Sequence, residues 1–197
     1  MKMNRTVSTR VVLHRGGGKA DAPHPGERIF VSIASYRDTE CQWTVEDLFA
    51  KASRPDRVFV GLCWQVVPEE DGDCFLRPSP RPAQTRSVTF HVSQSKGVGW
   101  ARAQAHRLWR GEGYLLNIDS HMRFTQGWDE LMIGQLAACP APKPLLTTYP
   151  LGYVPPDKLE KPGLTLLKAG SFNKEGVLLN KSRSFSIEDA PEQPMPT

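Results

Sequence analysis

The segment Tyr114-Leu-Leu-Asn-Ile-Asp-Ser-His-Met-Arg-Phe124 carries the clearest indication of the chain's architecture. Its first five residues, which are mostly apolar, predict a buried strand that ends at Asp119. Side chains alternate between the two faces of a strand, so Asp119 and His121 are expected to point the same way and Ser120 to point away. A carboxylate and an imidazole together suit Mn²⁺ or another divalent transition ion better than Mg²⁺, which prefers oxygen ligands. The alternative is an aspartate that ends the strand or caps the next helix, because a short D-x-H pattern also occurs by chance.

Length and composition fit one domain. The chain has 197 residues, of which 39% are hydrophobic and 23% charged, and this is enough for a core of its own. No apolar run approaches the roughly 18 residues of a membrane span, and the first residues lack the apolar stretch of a signal peptide. These features predict a cytoplasmic protein without a membrane span.

Charge and cysteine spacing argue against two further classes. The net charge of +4 is spread along the chain without a basic run interleaved with aromatics, so no nucleic-acid partner is expected. The cysteines form no C-x-x-C pair, which argues against a zinc ribbon and gives no disulfide framework. They are Cys41, Cys63, Cys74 and Cys139.

Strand and helix patterns alternate along the chain. Residues 29–33 form a β-rich apolar run, residues 43–52 have apolar positions at helical spacing, and residues 57–64 form a second apolar run. A strand, a helix and a strand in about forty residues predict a βαβ unit with parallel strands. Further strands are predicted at 87–93, 114–118 and 145–149, with one helix after the glycines 97 and 99 and another over 128–138. The fold class is therefore α/β.

The two ends of the chain have a different composition. Residues 1–27 contain Gly16-Gly-Gly18 and Pro23-His-Pro-Gly26, and only residues 11–13 allow a short strand, so this segment is predicted to be a flexible leader. Residues 190–197 are rich in proline and are predicted to be disordered.

Polar residues follow the first strand of the core. Ala34, Ser35, Tyr36 and Arg37 lie where that strand ends, and ligands of open α/β sheets bind outside the carboxyl ends of the strands. Tyr36 would stack on a base, and Arg37 or the neighbouring Asp38 would bond its edge. Any strand-to-helix loop can contain such residues, so an ordinary loop is the alternative.

A glycine-rich turn precedes the next helix. Gly97 and Gly99 allow close backbone approach, and free N–H groups at a helix start favour a phosphate. Arg102 would add a charge-assisted contact. The pattern is neither G-x-G-x-x-G nor a P-loop. His91, in the middle of a predicted strand, is expected to be a structural histidine, because nothing at metal-ligand spacing accompanies it.

These segments together resemble the glycosyltransferase (GlcNAc) family. Better-known members are similar to cytoplasmic enzymes that attach α-linked N-acetylglucosamine to hydroxyproline of a ubiquitin-ligase subunit. The D-S-H followed by G-W is also similar to the metal motif of polypeptide N-acetylgalactosaminyltransferases. The resemblance covers about residues 28–155 and rests on Ile29-Phe-Val-Ser-Ile-Ala-Ser-Tyr-Arg-Asp38, Val60-Gly-Leu-Cys-Trp-Gln65, Gly97-Val-Gly-Trp-Ala-Arg102, Ile118-Asp-Ser-His-Met-Arg-Phe124 and Gly127-Trp-Asp129.

The resemblance implies a GT-A fold, a Rossmann-like sheet with helices on both faces that binds a UDP-sugar. By this resemblance Asp119 and His121 hold a divalent cation, Mn²⁺ or another, against the diphosphate. No side chain is assigned as catalytic base or nucleophile. The residues expected to bind the donor UDP-N-acetylglucosamine are Ala34, Ser35, Tyr36, Arg37, Gly97, Arg102, Asp119 and Ser120.

One departure from the family pattern concerns the acceptor side. Members continue well beyond this length, and their second half is expected to hold an acceptor groove, a Gly-Glu-Glu-like acidic segment and a further metal ligand. We find no such acidic segment after residue 155. The domain prediction is therefore a leader at 1–27, a GT-A nucleotide-sugar core at 28–155, and a partial acceptor-side segment with a disordered tail at 156–197.

Three functions are compatible with these patterns. The leading hypothesis is a metal-dependent retaining glycosyltransferase that moves N-acetylglucosamine to a hydroxyl of a protein or glycan. The second is a truncated or degenerate UDP-sugar-binding module without turnover. The third is an α/β metallohydrolase that uses Asp119 and His121, which would need further ligands, with His91 as the sole candidate.

Overall fold

The computed structural model describes residues 11–15, 28–148, 150–159 and 164–185. The main helices are α1 (Cys41–Lys51), α2 (Val98–His106) and α3 (Trp128–Ala138). The strands are β1 (Val11–Arg15), β2 (Ile29–Tyr36), β3 (Val58–Val66), β4 (Thr85–His91), β5 (Tyr114–Asp119), β6 (Leu145–Thr148), β7 (Tyr153–Val154), β8 (Lys158–Leu159), β9 (Leu164–Phe172) and β10 (Leu178–Phe185).

A six-stranded sheet organises the described part of the chain. Its order is β4-β3-β2-β5-β1-β6, with β2, β3, β4 and β5 parallel and β1 antiparallel to both β5 and β6. The chain runs from β2 outward to β4 and then returns to place β5 on the other side of β2. This reversal makes a topological switch point between the carboxyl ends of β2 and β5.

Two clusters of buried side chains hold the helices to the sheet. Val45, Leu48 and Phe49 of α1 pack with Ile33 and other residues of the central strands in the larger cluster, to which α3 also contributes. Ala101 and Ala105 of α2 pack in a smaller cluster that also contains β3 and β4 side chains. Because strand side chains alternate, the two clusters occupy opposite faces, so the sheet is covered on both.

Gly61 of β3 explains how α2 comes so close to the sheet. A Cβ at this position would collide with the ring of Phe30 and would lie 3.2 Å from the backbone oxygen of Ala105. The two small alanines of α2 and the missing side chain of Gly61 therefore let the helix rest directly on β2 and β3.

The helices and strands predicted for the core are confirmed, and their observed bounds are close to the predicted ones. The predicted βαβ unit is β2, α1 and β3 with parallel pairing over eight residue pairs, and the predicted helix 128–138 is α3. The α/β class and the Rossmann-like sheet are confirmed as well. Within the described residues, no helix has the length and apolar character that crossing a bilayer requires.

The short strand that residues 11–13 allow is confirmed as β1 of the main sheet, so the predicted flexible leader does not extend over residues 11–15. The backbone of β1 is hydrogen-bonded to β5 on one side and to β6 on the other, which is incompatible with a flexible segment. The rest of residues 1–27 and the tail after residue 185 lie outside the described residues. The acceptor-side role of residues 156–197 stays a prediction, and the described residues of this segment include the antiparallel pair β9 and β10.

Candidate functional site

The candidate site lies at the switch point between β2 and β5. Ala34 of β2 pairs with Asp119, the last residue of β5, and the polar residues that follow each strand come together just beyond this pair. The segments 34–38 and 118–121 are about eighty residues apart in sequence. They are neighbours in the structure because parallel strands end at one edge of the sheet.

Asp119 contacts α2. Arg102 Nη2 donates to Asp119 Oδ1 at 2.9 Å, and the two side chains are 35% and 31% exposed. Asp119 reaches this helix because its strand partner Ala34 packs on the same side as α2. Among the described residues, Asp119 Oδ2 has no hydrogen-bond partner, so one carboxylate oxygen is available to a ligand.

His121 and Ser120 share one partner, Asp38. His121 Nδ1 and Ser120 Oγ both lie 2.6 Å from Asp38 Oδ2, and the backbone N–H of Glu40 donates to Oδ1 at 3.0 Å. Burial alone would raise the pKa of Asp38, but the hydrogen bonds from His121, Ser120 and Glu40 outweigh it and hold that pKa below its usual value. Asp38 is therefore a carboxylate at neutral pH.

The strand alternation expected for Asp119, Ser120 and His121 does not extend past Asp119. The strand ends there and the chain bends at the next two residues, so Ser120 and His121 turn toward the same carboxylate. The expectation that Ser120 points away is wrong, because the period of two holds only within an extended strand. The alternation rule therefore does not place His121 on the side of Asp119 either: Asp119 bonds Arg102, and His121 bonds Asp38.

Thr44 of α1 fixes this bend from below. Its hydroxyl donates to the carbonyl of Ser120 at 2.7 Å and accepts from the backbone N–H of Met122 at 2.8 Å, and the side chain is fully buried. The sequence gives no signal for this role, since a threonine within a helix commonly bonds to its own helix.

The predicted nucleotide residues of β2 have different surroundings. Tyr36 is 55% exposed and available for stacking, whereas Ser35 is completely buried and can offer a ligand only its backbone. Arg37 has a positive φ of 49°, and its guanidinium bonds Asp71 at 3.0 Å and Glu70 at 2.6 Å. Arg37 therefore fastens the loop after β3 and is not set up for the predicted contact with a base edge.

The glycine-rich turn before α2 is open to solvent. Gly97 has a φ of 89°, which favours glycine, and it directly precedes α2 without a side-chain cap. The buried Gln65 holds the turn in place, because Ser95 Oγ donates to Gln65 Oε1 at 2.6 Å while Gln65 Nε2 donates to the Ser35 carbonyl. The predicted phosphate position at Gly97 stays a prediction.

Arg123, within the opening stretch but without an assigned role there, links the site to β7. Its Nη2 lies 2.7 Å from Glu40 Oε2, and its guanidinium lies over the ring of Tyr153 at 4.5 Å. The Tyr153 hydroxyl also donates to Glu40 at 3.0 Å, and Arg123 Nε donates to the Pro156 carbonyl. The residues after position 150 are thereby attached to the start of α1.

Two side chains at the switch point, Asp119 and His121, are candidates to bind a divalent cation. Asp119 and His121 offer a carboxylate oxygen and an imidazole nitrogen, and each has its other polar atom already bonded. In the described ranges no group of three or more His, Cys, Asp or Glu is arranged to hold a metal ion. The described residues therefore form no cage made of protein alone, and a cation held by Asp119 and His121 would take its remaining ligands from phosphate oxygens and water.

His91 takes no part in this set. It is the last residue of β4, not a mid-strand residue as predicted, and its Nδ1 lies 2.7 Å from Ser93 Oγ in a turn cap. This bears out its structural role. The metallohydrolase hypothesis loses its sole additional ligand.

A largely parallel α/β sheet with polar residues at its switch point defines a Rossmann-like fold whose ligand crevice lies at the carboxyl ends of β2 and β5. A family model described as Glycosyltransferase (GlcNAc) matches residues 28–90 and 77–197, which together make up most of the chain. The chain belongs to this glycosyltransferase family, and membership supports a role in glycosyl transfer, which requires a nucleotide-sugar donor and an acceptor. No curated protein and no solved structure matches it significantly.

Proposed function

We propose that the chain transfers N-acetylglucosamine from UDP-N-acetylglucosamine to a hydroxyl of a protein or glycan, with a divalent cation and with retention of the anomeric configuration. The observation that carries the proposal is the position of Asp119 and His121 at the switch point: each has one side-chain atom bonded within the protein, and its other polar atom has no hydrogen bond to any described residue. Family membership supports glycosyl transfer as the chemistry.

Asp119 and His121 are the residues that would hold Mn²⁺ or a similar ion. When bound, such an ion acts as a Lewis acid on the diphosphate, whose charge grows as the sugar–phosphate bond breaks. Arg102 adds a guanidinium next to Asp119, so positive charge from the protein itself faces the same place. Tyr36 offers an exposed ring for stacking on uracil.

The proton of the acceptor hydroxyl has no assigned side-chain base. In the front-face mechanism expected from the family, an oxygen of the leaving phosphate takes it as the new glycosidic bond forms on the same face of the sugar. The chain's contribution is then to orient the donor and to stabilise charge, for which Arg102 and the ordered turn at 120–122 are suited.

Calorimetry of UDP and UDP-N-acetylglucosamine, with and without Mn²⁺, tests the donor and the cation. We expect binding to depend on Mn²⁺, and Asp119→Asn to weaken it by about tenfold or more, since even a lost outer partner of a metal costs about 10–100-fold. Asp56→Asn is the matched control, because Asp56 is exposed and precedes β3 at the opposite end of the parallel strands. The proposal would be refuted if the affinity for UDP and UDP-N-acetylglucosamine changed neither with Mn²⁺ nor with the Asp119 substitution.

A binding module without turnover is the second candidate. This candidate is favoured because the described residues contain no group of three or more metal-binding side chains, which leaves Asp119 and His121 as the two candidate ligands. A UDP-release assay in the presence of Mn²⁺ and acceptor peptides or glycans separates the two. Saturable UDP binding without any release would assign the module, and acceptor-dependent release would assign the transferase.

The acceptor and the location are further parts of the proposal. A hydroxyproline acceptor in the cytoplasm is what the resemblance to the hydroxyproline-modifying enzymes implies. A peptide array containing hydroxyproline, serine and threonine sites, read out by sugar incorporation, would identify the class of acceptor.

A further inference from the structure

Asp38 holds an unusually complete set of contacts for a residue in a loop. Its Oδ2 lies 2.6 Å from both His121 Nδ1 and Ser120 Oγ, and its Oδ1 accepts from the backbone N–H of Glu40 at 3.0 Å. The contacts from Ser120 and Glu40 orient the carboxylate without any help from the imidazole. Asp38 thus presents a fixed acceptor to His121.

A fixed carboxylate determines where the histidine hydrogen resides. Both oxygens of Asp38 already accept hydrogen bonds, Oδ2 from Ser120 and Oδ1 from Glu40, so the group that faces His121 is an acceptor. Nδ1 of His121 then donates to it, and in the neutral ring Nε2 carries the lone pair. Metal-binding histidines typically donate their second ring N–H to a carboxylate or carbonyl in this way, which fixes both the tautomer and the ring plane.

We propose that Asp38 is a positioning residue for His121: it selects the Nδ1-protonated tautomer and so makes Nε2 the atom that binds the cation. The inference deepens the proposed function and rests on its assignment of His121 as a cation ligand. It gives the strand-end residue Asp38 a role in cation binding in place of the predicted contact with a base edge.

The first test reads the tautomer directly in the metal-free protein. Long-range ¹H–¹⁵N NMR at about pH 8, where histidine is neutral, distinguishes the two tautomers, and His121→Gln identifies the signal among the five histidines of the chain. We expect His121 to carry its hydrogen on Nδ1 in the wild type and to lose this preference in Asp38→Ala. Ser120→Ala, which removes only the other donor to the same oxygen, is the control and should keep the wild-type tautomer.

Hydrogen on Nε2 in the wild type, or the same tautomer in Asp38→Ala as in the wild type, would overturn the inference. If Asp38→Ala does not fold, Asp38→Asn serves instead in the binding measurement below, since the amide preserves the shape while removing the charge.

The second test measures Mn²⁺ binding by electron paramagnetic resonance in the presence of UDP. We expect Asp38→Ala or Asp38→Asn to weaken Mn²⁺ binding by about tenfold or more. The double variant with His121→Gln should bind no more weakly than His121→Gln alone, because both substitutions remove one function. Additive losses in the double variant would refute the coupling.

The outcomes separate the inference from the proposed function. If His121→Gln weakens Mn²⁺ binding and the Asp38 variants do not, the positioning role fails and the cation site stands. If His121→Gln has no effect on Mn²⁺ binding, the cation assignment fails, and with it the purpose inferred for Asp38.

Discussion

Thr44→Val removes one hydroxyl from beneath the site while keeping the shape of the side chain. The Met122 N–H then loses its acceptor in a buried place, which costs about 1–3 kcal/mol, and the Ser120 carbonyl loses a bond that contributes about 0.5–1.5 kcal/mol. The variant should therefore be less stable by about 1.5–4.5 kcal/mol. At about 2–4 °C per kcal/mol for a chain of this size, Tm should fall by roughly 3–18 °C.

Urea unfolding followed by tryptophan fluorescence measures this loss, with Thr44→Ser as the matched control. Serine keeps the hydroxyl and removes one methyl, so we expect it to cost about 0.8 kcal/mol. Thr44→Val should also weaken Mn²⁺-dependent UDP binding more than Thr44→Ser does, since the bend at 120–122 loses its anchor. Equal unfolding midpoints for the two variants at unchanged m-value would refute the assigned role of the hydroxyl.

Two further predictions concern the scaffold. Gly61→Ala should destabilise the fold by about 1–3 kcal/mol, because the added Cβ would collide with the Phe30 ring. In a Phe30→Leu background, which removes that ring, the loss measured by urea unfolding should be smaller. Equal losses in both backgrounds would contradict the clash. Asp129→Ala should cost about 3–5 kcal/mol, because Asp129 is fully buried and bonded to Arg57 and to two backbone N–H groups. Burial alone would raise the pKa of Asp129, but these bonds outweigh burial and hold the pKa below its usual value. The stabilisation by the Asp129 carboxylate is therefore fully present above about pH 4, the pKa in the unfolded chain. It is lost as the pH falls through the lower pKa of the folded state. Urea midpoints between about pH 6 and pH 2.5 should therefore fall more steeply for the wild type than for Asp129→Ala.

The sequence predicts the regular elements well because their signals are local. The α3 helix is bounded by Gly127 and Pro140, and its predicted extent is the observed one. The β2–α1–β3 unit follows from two apolar runs flanking a helical period, and parallel pairing follows from the connection between them. The meeting of residues 34–38 with 119–121 also follows, once both strands are expected to be parallel.

What the sequence does not predict depends on partners far along the chain. Arg37 is bonded to Asp71 and Glu70, more than thirty positions away, and no local pattern indicates which polar group a loop arginine will meet. The bend after Asp119 departs from the predicted alternation for a different reason. Alternation of side chains ends with the strand at Asp119, and beyond it the carboxylate of Asp38 decides the orientation of Ser120 and His121.

The position of β1 has a consequence for how the protein is made. Val12 pairs with Asn117, which comes roughly a hundred positions later, so β1 is synthesised well before its partner strand β5. β6 then pairs with β1 and not with β5, so the flank of the sheet closes last. An expression variant that begins at residue 28 would leave β5 with an open edge, and such edges invite pairing between molecules during synthesis.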